Sequence, residues 1–118
     1  MEAYAVNNDG EFVADANTWI TALVTAGEVS TVPSAVTYAP GTTACATNVQ
    51  NGYCYESDDG AGAAPMVIYA TLEAKTNKSK CANNDDVAYA VYSSADGRAG
   101  IVCTAAGGAP APGTQTFE

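Results

Sequence analysis

Hydrophobic and polar positions alternate most regularly between Cys81 and Cys103. Val87, Tyr89 and Val91 interleave with Ala88, Ala90 and Tyr92, the period of two that marks a strand rich in β-formers. Ser93-Ser94-Ala95-Asp96-Gly97 breaks the pattern with a turn, and Ala99 to Cys103 reads as the returning strand of a hairpin. Residues 65–73 are β-branched and nearly uncharged, which makes them the strongest central-strand candidate. Gly52-Tyr53-Cys54-Tyr55-Glu56 reads as a short strand entered through a tight turn at Asn51-Gly52.

The first 27 residues carry a helical period instead. From Asn17 to Gly27, Trp19, Ile20, Leu23 and Val24 fall on one face, so this helix packs through that stripe. Asn17 or Asp15 is the expected N-terminal cap, and Gly27 the residue that ends the helix. Met1 to Val6 reads as the last turns of another helix, stopped by Asn7-Asn8-Asp9-Gly10. A helix this short is marginal alone, so residues 1–8 are expected to be the remnant of a longer one. Helical signals followed by strand signals predict an α+β fold. Helical segments would pack on a single, mostly antiparallel sheet, with Trp19, Ile20, Leu23, Val24, Val67, Ile68, Leu72, Val91 and Ile101 forming much of the core.

Between these elements the chain is turn-rich. Lys75-Thr76-Asn77-Lys78-Ser79-Lys80 reads as a solvated turn, and Asn77-Lys78-Ser79 matches the N-glycosylation pattern, taken here only as a sign of exposure. After Cys103 the composition shifts to Ala, Gly, Pro and Thr. Residues 9–103 are therefore expected to form one globular head and residues 104–118 a flexible tail, with Phe117 in solvent or, as the alternative, docked on a neighbouring subunit.

Composition sharpens this picture. Large apolar side chains are few: one Trp, two Phe, two Met and seven Tyr in 118 residues. So light a core gains from covalent staples, and four Cys with no His fit disulfides in an oxidising compartment better than a metal site. Four Cys allow several pairings. Cys45–Cys54 and Cys81–Cys103 are expected, because each pair brackets its own turn-rich segment. With this reading an export signal has been removed from the chain. The formal net charge of −9, with only four basic residues, three of them in residues 75–80, offers no footprint for nucleic acid or anionic lipid.

The order of these parts resembles the heads of type IV pilins and type II secretion pseudopilins. Residues 1–10 resemble the exposed end of that family's long N-terminal helix, and Trp19 to Pro33 its short helix and following Val-Pro. Gly52-Tyr53-Cys54-Tyr55, residues 67–73 and residues 91–103 resemble its sheet and C-terminal loop. The resemblance implies a structural subunit of an extracellular filament, on the bacterial surface as a pilus or in the periplasm as a pseudopilus. Its partners would be copies of itself or other pilins, joined through an apolar helix missing from residues 1–118, and the isolated head would be monomeric. The family's leader, apolar helix start and assembly glutamate have no counterpart here, so no assembly residue is carried over. Two bridges also exceed the single C-terminal disulfide of many pilins.

Catalysis finds little footing in this sequence. Without His there is no Ser-His or Cys-His nucleophile. Glu56, Asp58 and Asp59 cluster, as do Asp85 and Asp86, but charges beside Gly and Asn usually mark solvated turns. No enzyme activity and no cofactor are expected. Calcium is the one metal with candidate ligands, Asn83, Asn84, Asp85 and Asp86 in one loop with Asp58 and Asp59 as two more, and the resemblance implies it further because some pseudopilins bind calcium in their C-terminal loop. The alternative function is a free secreted binding module, disulfide-stabilised, whose tyrosines contact a glycan, peptide or surface.

Overall fold

Strands that are neighbours in the chain are neighbours in space. The structure, a computed structural model, describes residues 1–40, 45, 47–84, 86–105 and 108–118. Its elements are α1 (Glu2–Asn7), α2 (Trp19–Thr25), β1 (Cys54–Ser57), β2 (Met66–Thr71), α3 (Lys75–Lys78), β3 (Val87–Ser93) and β4 (Arg98–Thr104). The four strands form one antiparallel sheet in the order β1-β2-β3-β4, and the fold is α+β.

The local sequence accounts for the turns. Asn51 and Gly52 both take positive φ, 53° and 87°, as the two-residue hairpin turn between Gln50 and Tyr53 requires. The β3–β4 hairpin closes over residues 94–97, with the Gly97 N–H donating to the Ser93 carbonyl at 2.9 Å. Lys75 to Lys78, expected as a turn, forms the single helical turn α3 with no buried residue.

Register divides the sheet residues between two faces. Paired positions place Cys54, Val67, Tyr69, Tyr89, Val91, Gly100 and Val102 on one face. Tyr55, Met66, Ile68, Ala70, Ala88, Ala90, Tyr92, Ala99 and Ile101 lie on the other. Apart from Gly100, the first set builds one buried cluster together with Cys45, and Val49, Val87 and Phe117 pack against it. Tyr69 and Tyr89 meet there edge to face, with centroids 5.5 Å apart.

Ala5, Phe12, Val13, Trp19, Ile20 and Leu23 cluster with Tyr55 and Met66 on the second face. Trp19 stacks on Tyr55 at 5.3 Å, and the Tyr55 hydroxyl donates to the Val13 carbonyl at 2.6 Å. Burial raises the Tyr55 pKa, and the nearby Asp15 carboxylate raises it further.

The cap of α2 does not come from Asn17 or Asp15. Thr18 is the N-cap residue and makes no side-chain cap bond. Gln50 takes that role from a distant loop: its Oε1 accepts from the N–H groups of Ile20 (2.7 Å) and Thr21 (3.1 Å). Its Nε2 donates to Thr21 Oγ1 at 2.5 Å. Asp15 is engaged elsewhere, its Oδ1 accepting from the Ser57 N–H at 2.9 Å and the Ser57 hydroxyl at 2.6 Å.

Two disulfides, Cys45–Cys54 and Cys81–Cys103, span Cα separations of 6.1 and 5.6 Å. They fit folding in an oxidising, non-cytoplasmic compartment. Among the described residues no helix is long and apolar enough to cross a membrane.

Phe117 does not stand in solvent. It pairs antiparallel with Val102, and the Glu118 N–H donates to the Ile101 carbonyl at 2.9 Å. Further back, the Ser93 hydroxyl donates to the Gly113 carbonyl at 3.1 Å, and Pro110 is buried. The outer edge of β4 and the apolar cluster beside it supply the partners that composition alone does not reveal.

Candidate functional site

Small residues at the centre of the second face create a concave feature. Ala70 pairs with Ala90, and Ala90 with Ile101. On one side stand Ile68 and Tyr92, directly paired, and on the other Leu72, whose N–H donates to the Ala88 carbonyl at 2.9 Å. Because methyl groups fill the middle and larger groups the flanks, a trench crosses the strands. Tyr53 and α3's Asn77 complete its lining. The trench is open, strongly apolar and about 630 Å³ in volume.

This geometry changes the expected core. Trp19, Ile20, Leu23, Val67 and Val91 are buried, but Val24, Ile68, Leu72 and Ile101 are only half-buried. Ile68, Leu72 and Ile101 line the trench, and Ile68 also packs against the helical cluster. Alternation assigns residues to a shared face but carries no information on what covers that face.

The start of α1 stands at the lip of the trench. The Tyr92 hydroxyl donates to Glu2 Oε1 at 2.6 Å, and Met1 and Tyr4 pack against the same cluster as Tyr92 and Ile68. The bond to the Glu2 carboxylate, aided by burial, raises the Tyr92 pKa. Glu2 is therefore a residue that sequence reasoning missed. Its partner lies 90 positions away, and no local pattern announces it.

The acidic positions are occupied with shaping loops. Asp59 Oδ1 accepts from the N–H groups of Ala61 (2.8 Å) and Ala63 (3.0 Å), and these backbone donors, Ala63 first, hold its carboxyl below the usual range. Glu56 is shifted the other way, by burial and then by Asp15. Of the calcium candidates, Asn83 and Asp86 come together in a turn. The Asp86 N–H donates to the Asn83 carbonyl at 3.1 Å, and Asn83 Nδ2 reaches Asp86 Oδ2 at 3.4 Å. Asn84 is exposed, and Asp85 lies outside the described residues. Among the described residues, no three Asp, Glu, Cys or His side chains gather as a metal site.

No family model, curated protein or solved structure matches the chain. The trench and the chain entry beside it are thus the observations from which a function can be argued.

Proposed function

We propose that this chain is the head of an extracellular filament subunit, of pilin or pseudopilin type. The observation that carries this reading is the apolar trench beside the first turn of α1, on the face of the sheet where the helices already lie. An apolar helix continuing upstream of residue 1 would enter at this lip. The alanine floor would let its backbone approach closely, and Ile68, Leu72 and Ile101 would meet its side chains. Burial of that surface contributes about 25 cal/mol per Å². Filament cohesion would come from such helices packing with one another, while the acidic heads repel, most strongly at low salt.

A second reading draws on the same feature. Tyr53 and Tyr92 line an open apolar surface, which suits a secreted module that grips an apolar ligand or the apolar face of a glycan.

Expression of the gene with its native upstream sequence separates the two. The filament reading expects ordered fibres by electron microscopy, lost when Ala90→Arg places a charge on the trench floor, while the isolated Ala90→Arg head keeps its fold. Sedimentation of the isolated head should show a monomer at micromolar concentration. Fibres indifferent to Ala90→Arg, or an upstream sequence with no apolar helix, would remove the support for a filament subunit.

A further inference from the structure

The segment 114–118 sits in a seat whose parts all come from the β3–β4 hairpin. Its backbone pairs with the outer edge of β4 through Phe117 and Val102, and through the Glu118 N–H to the Ile101 carbonyl. The ring of Phe117 occupies space that β4 leaves vacant at Gly100, where a Cβ would stand 2.6 Å from the ring's Cδ1. Arg98 covers the ring, its guanidinium carbon 4.4 Å from the centroid. The Gln115 N–H donates to Asp96 Oδ2 at 2.9 Å and fixes the register.

Strand pairing, a pocket for one aromatic side chain and a carboxylate that reads a backbone amide are together the elements of peptide capture by strand addition. We propose that the edge of β4, with Asp96, Arg98 and Gly100, is a peptide-binding site for an extended segment bearing phenylalanine. Residues 114–118 fill it in cis, and the same segment of a second copy fits it in trans. A second copy is the natural occupant because the seat is already complementary to this sequence. In the connection from β4, residues 105–113 are Gly, Ala and Pro, whose side chains offer no hydrogen-bonding group, and its described anchors are buried Pro110 and the Gly108 and Gly113 carbonyls, which accept from Tyr89, Thr104 and Ser93. The cis segment competes at an effective concentration on the order of millimolar. Exchange therefore belongs to conditions where copies are crowded, and it does not depend on the filament reading.

The probe is a fluorescent peptide with the sequence of residues 112–118. In the full chain, Phe117→Ala vacates the ring pocket. The peptide should bind this variant more than about tenfold tighter than it binds the native chain, and adding Gly100→Val should abolish binding. A folded Phe117→Ala chain that ignores the peptide, or binding untouched by Gly100→Val, overturns the proposal. A second measurement needs no variant. In native chain labelled with 4-fluorophenylalanine at Phe12 and Phe117, several millimolar unlabelled peptide should move one fluorine resonance towards its solvent position. Two unmoved resonances would also overturn it.

Discussion

The two faces of one sheet are finished differently. On the first, Val67, Tyr69, Tyr89, Val91 and Val102 are large, and Cys45 and Phe117 close over them. On the second, Ala5, Phe12, Val13, Trp19, Ile20 and Leu23 cluster with Tyr55 and Met66 at one end, while Ala70, Ala90 and Ala99 leave the middle open. Both faces use the same alternation, so the difference lies in side-chain volume and in which distant segments return. A face that is apolar but unfilled is cheap to maintain only while something covers it or the surface stays small. The contrast thus separates residues that hold the fold from residues free to serve a contact.

The largest test removes the cover of the helical end. Trp19→Ala deletes the ring that stacks on Tyr55, and should cost about 3–5 kcal/mol, read from the urea midpoint at unchanged slope. A loss below about 1 kcal/mol would mean that the helices add little to the closed part of that face. Next come the bridges, one anchored on each face: Cys54 belongs to the first face and Cys103, paired with Ala88, to the second. Removing Cys81–Cys103 by paired Ala substitutions should cost about 3.4 kcal/mol, against about 2.7 for the shorter Cys45–Cys54 loop by chain entropy alone. The reverse order in thermal melts would show that packing around fully buried Cys54 outweighs loop length.

A smaller effect lies at the trench lip. The Tyr92 pKa is raised above its ordinary value of 10.0 in the folded chain. The folded state therefore holds this proton more tightly than the unfolded chain does. The bond to Glu2 contributes fully below pH 10 and is lost as pH rises through the higher folded value. Tyr92→Phe should cost no more than about 1 kcal/mol at neutral pH, since the pair is exposed. It should also flatten the alkaline fall in stability, and an unchanged alkaline limb would count against this account. The smallest effect is expected in the trench itself. Ala90→Leu should change stability by less than about 0.5 kcal/mol, because the added side chain meets open space. A large loss there would show that the trench is closed by something in solution.

Much of the architecture could be read from the chain. Val87 to Val91 alternates, Asn51-Gly52 and Asp96-Gly97 mark tight reversals, and the strands emerge in that order. These features are local, and local periodicity and turn chemistry report them. What escaped depends on partners far along the chain. Gln50 caps a helix 30 positions away, and Glu2 meets Tyr92 across 90. Phe117 looked idle because nothing in Thr-Gln-Thr-Phe-Glu signals that Gly100 leaves room for a ring. The trench escaped for a related reason: Ala70 and Ala90 read as ordinary apolar strand positions, and only their pairing across β2 and β3 turns two small residues into a depression.

The sequential order of the sheet also sets an order of assembly. Each strand pairs with the one made just before it, so the meander can form progressively as the chain is synthesised or exported. Residues 1–27 emerge ahead of the sheet, yet the surface that receives them does not exist until Tyr55 and Met66 arrive, and Val13 waits 42 residues for the hydroxyl that meets its carbonyl. Phe12, Trp19, Ile20 and Leu23 must remain unburied through that interval. This stretch precedes the sheet in the chain yet is fixed after it, and a carrier that shields apolar residues before folding would act there.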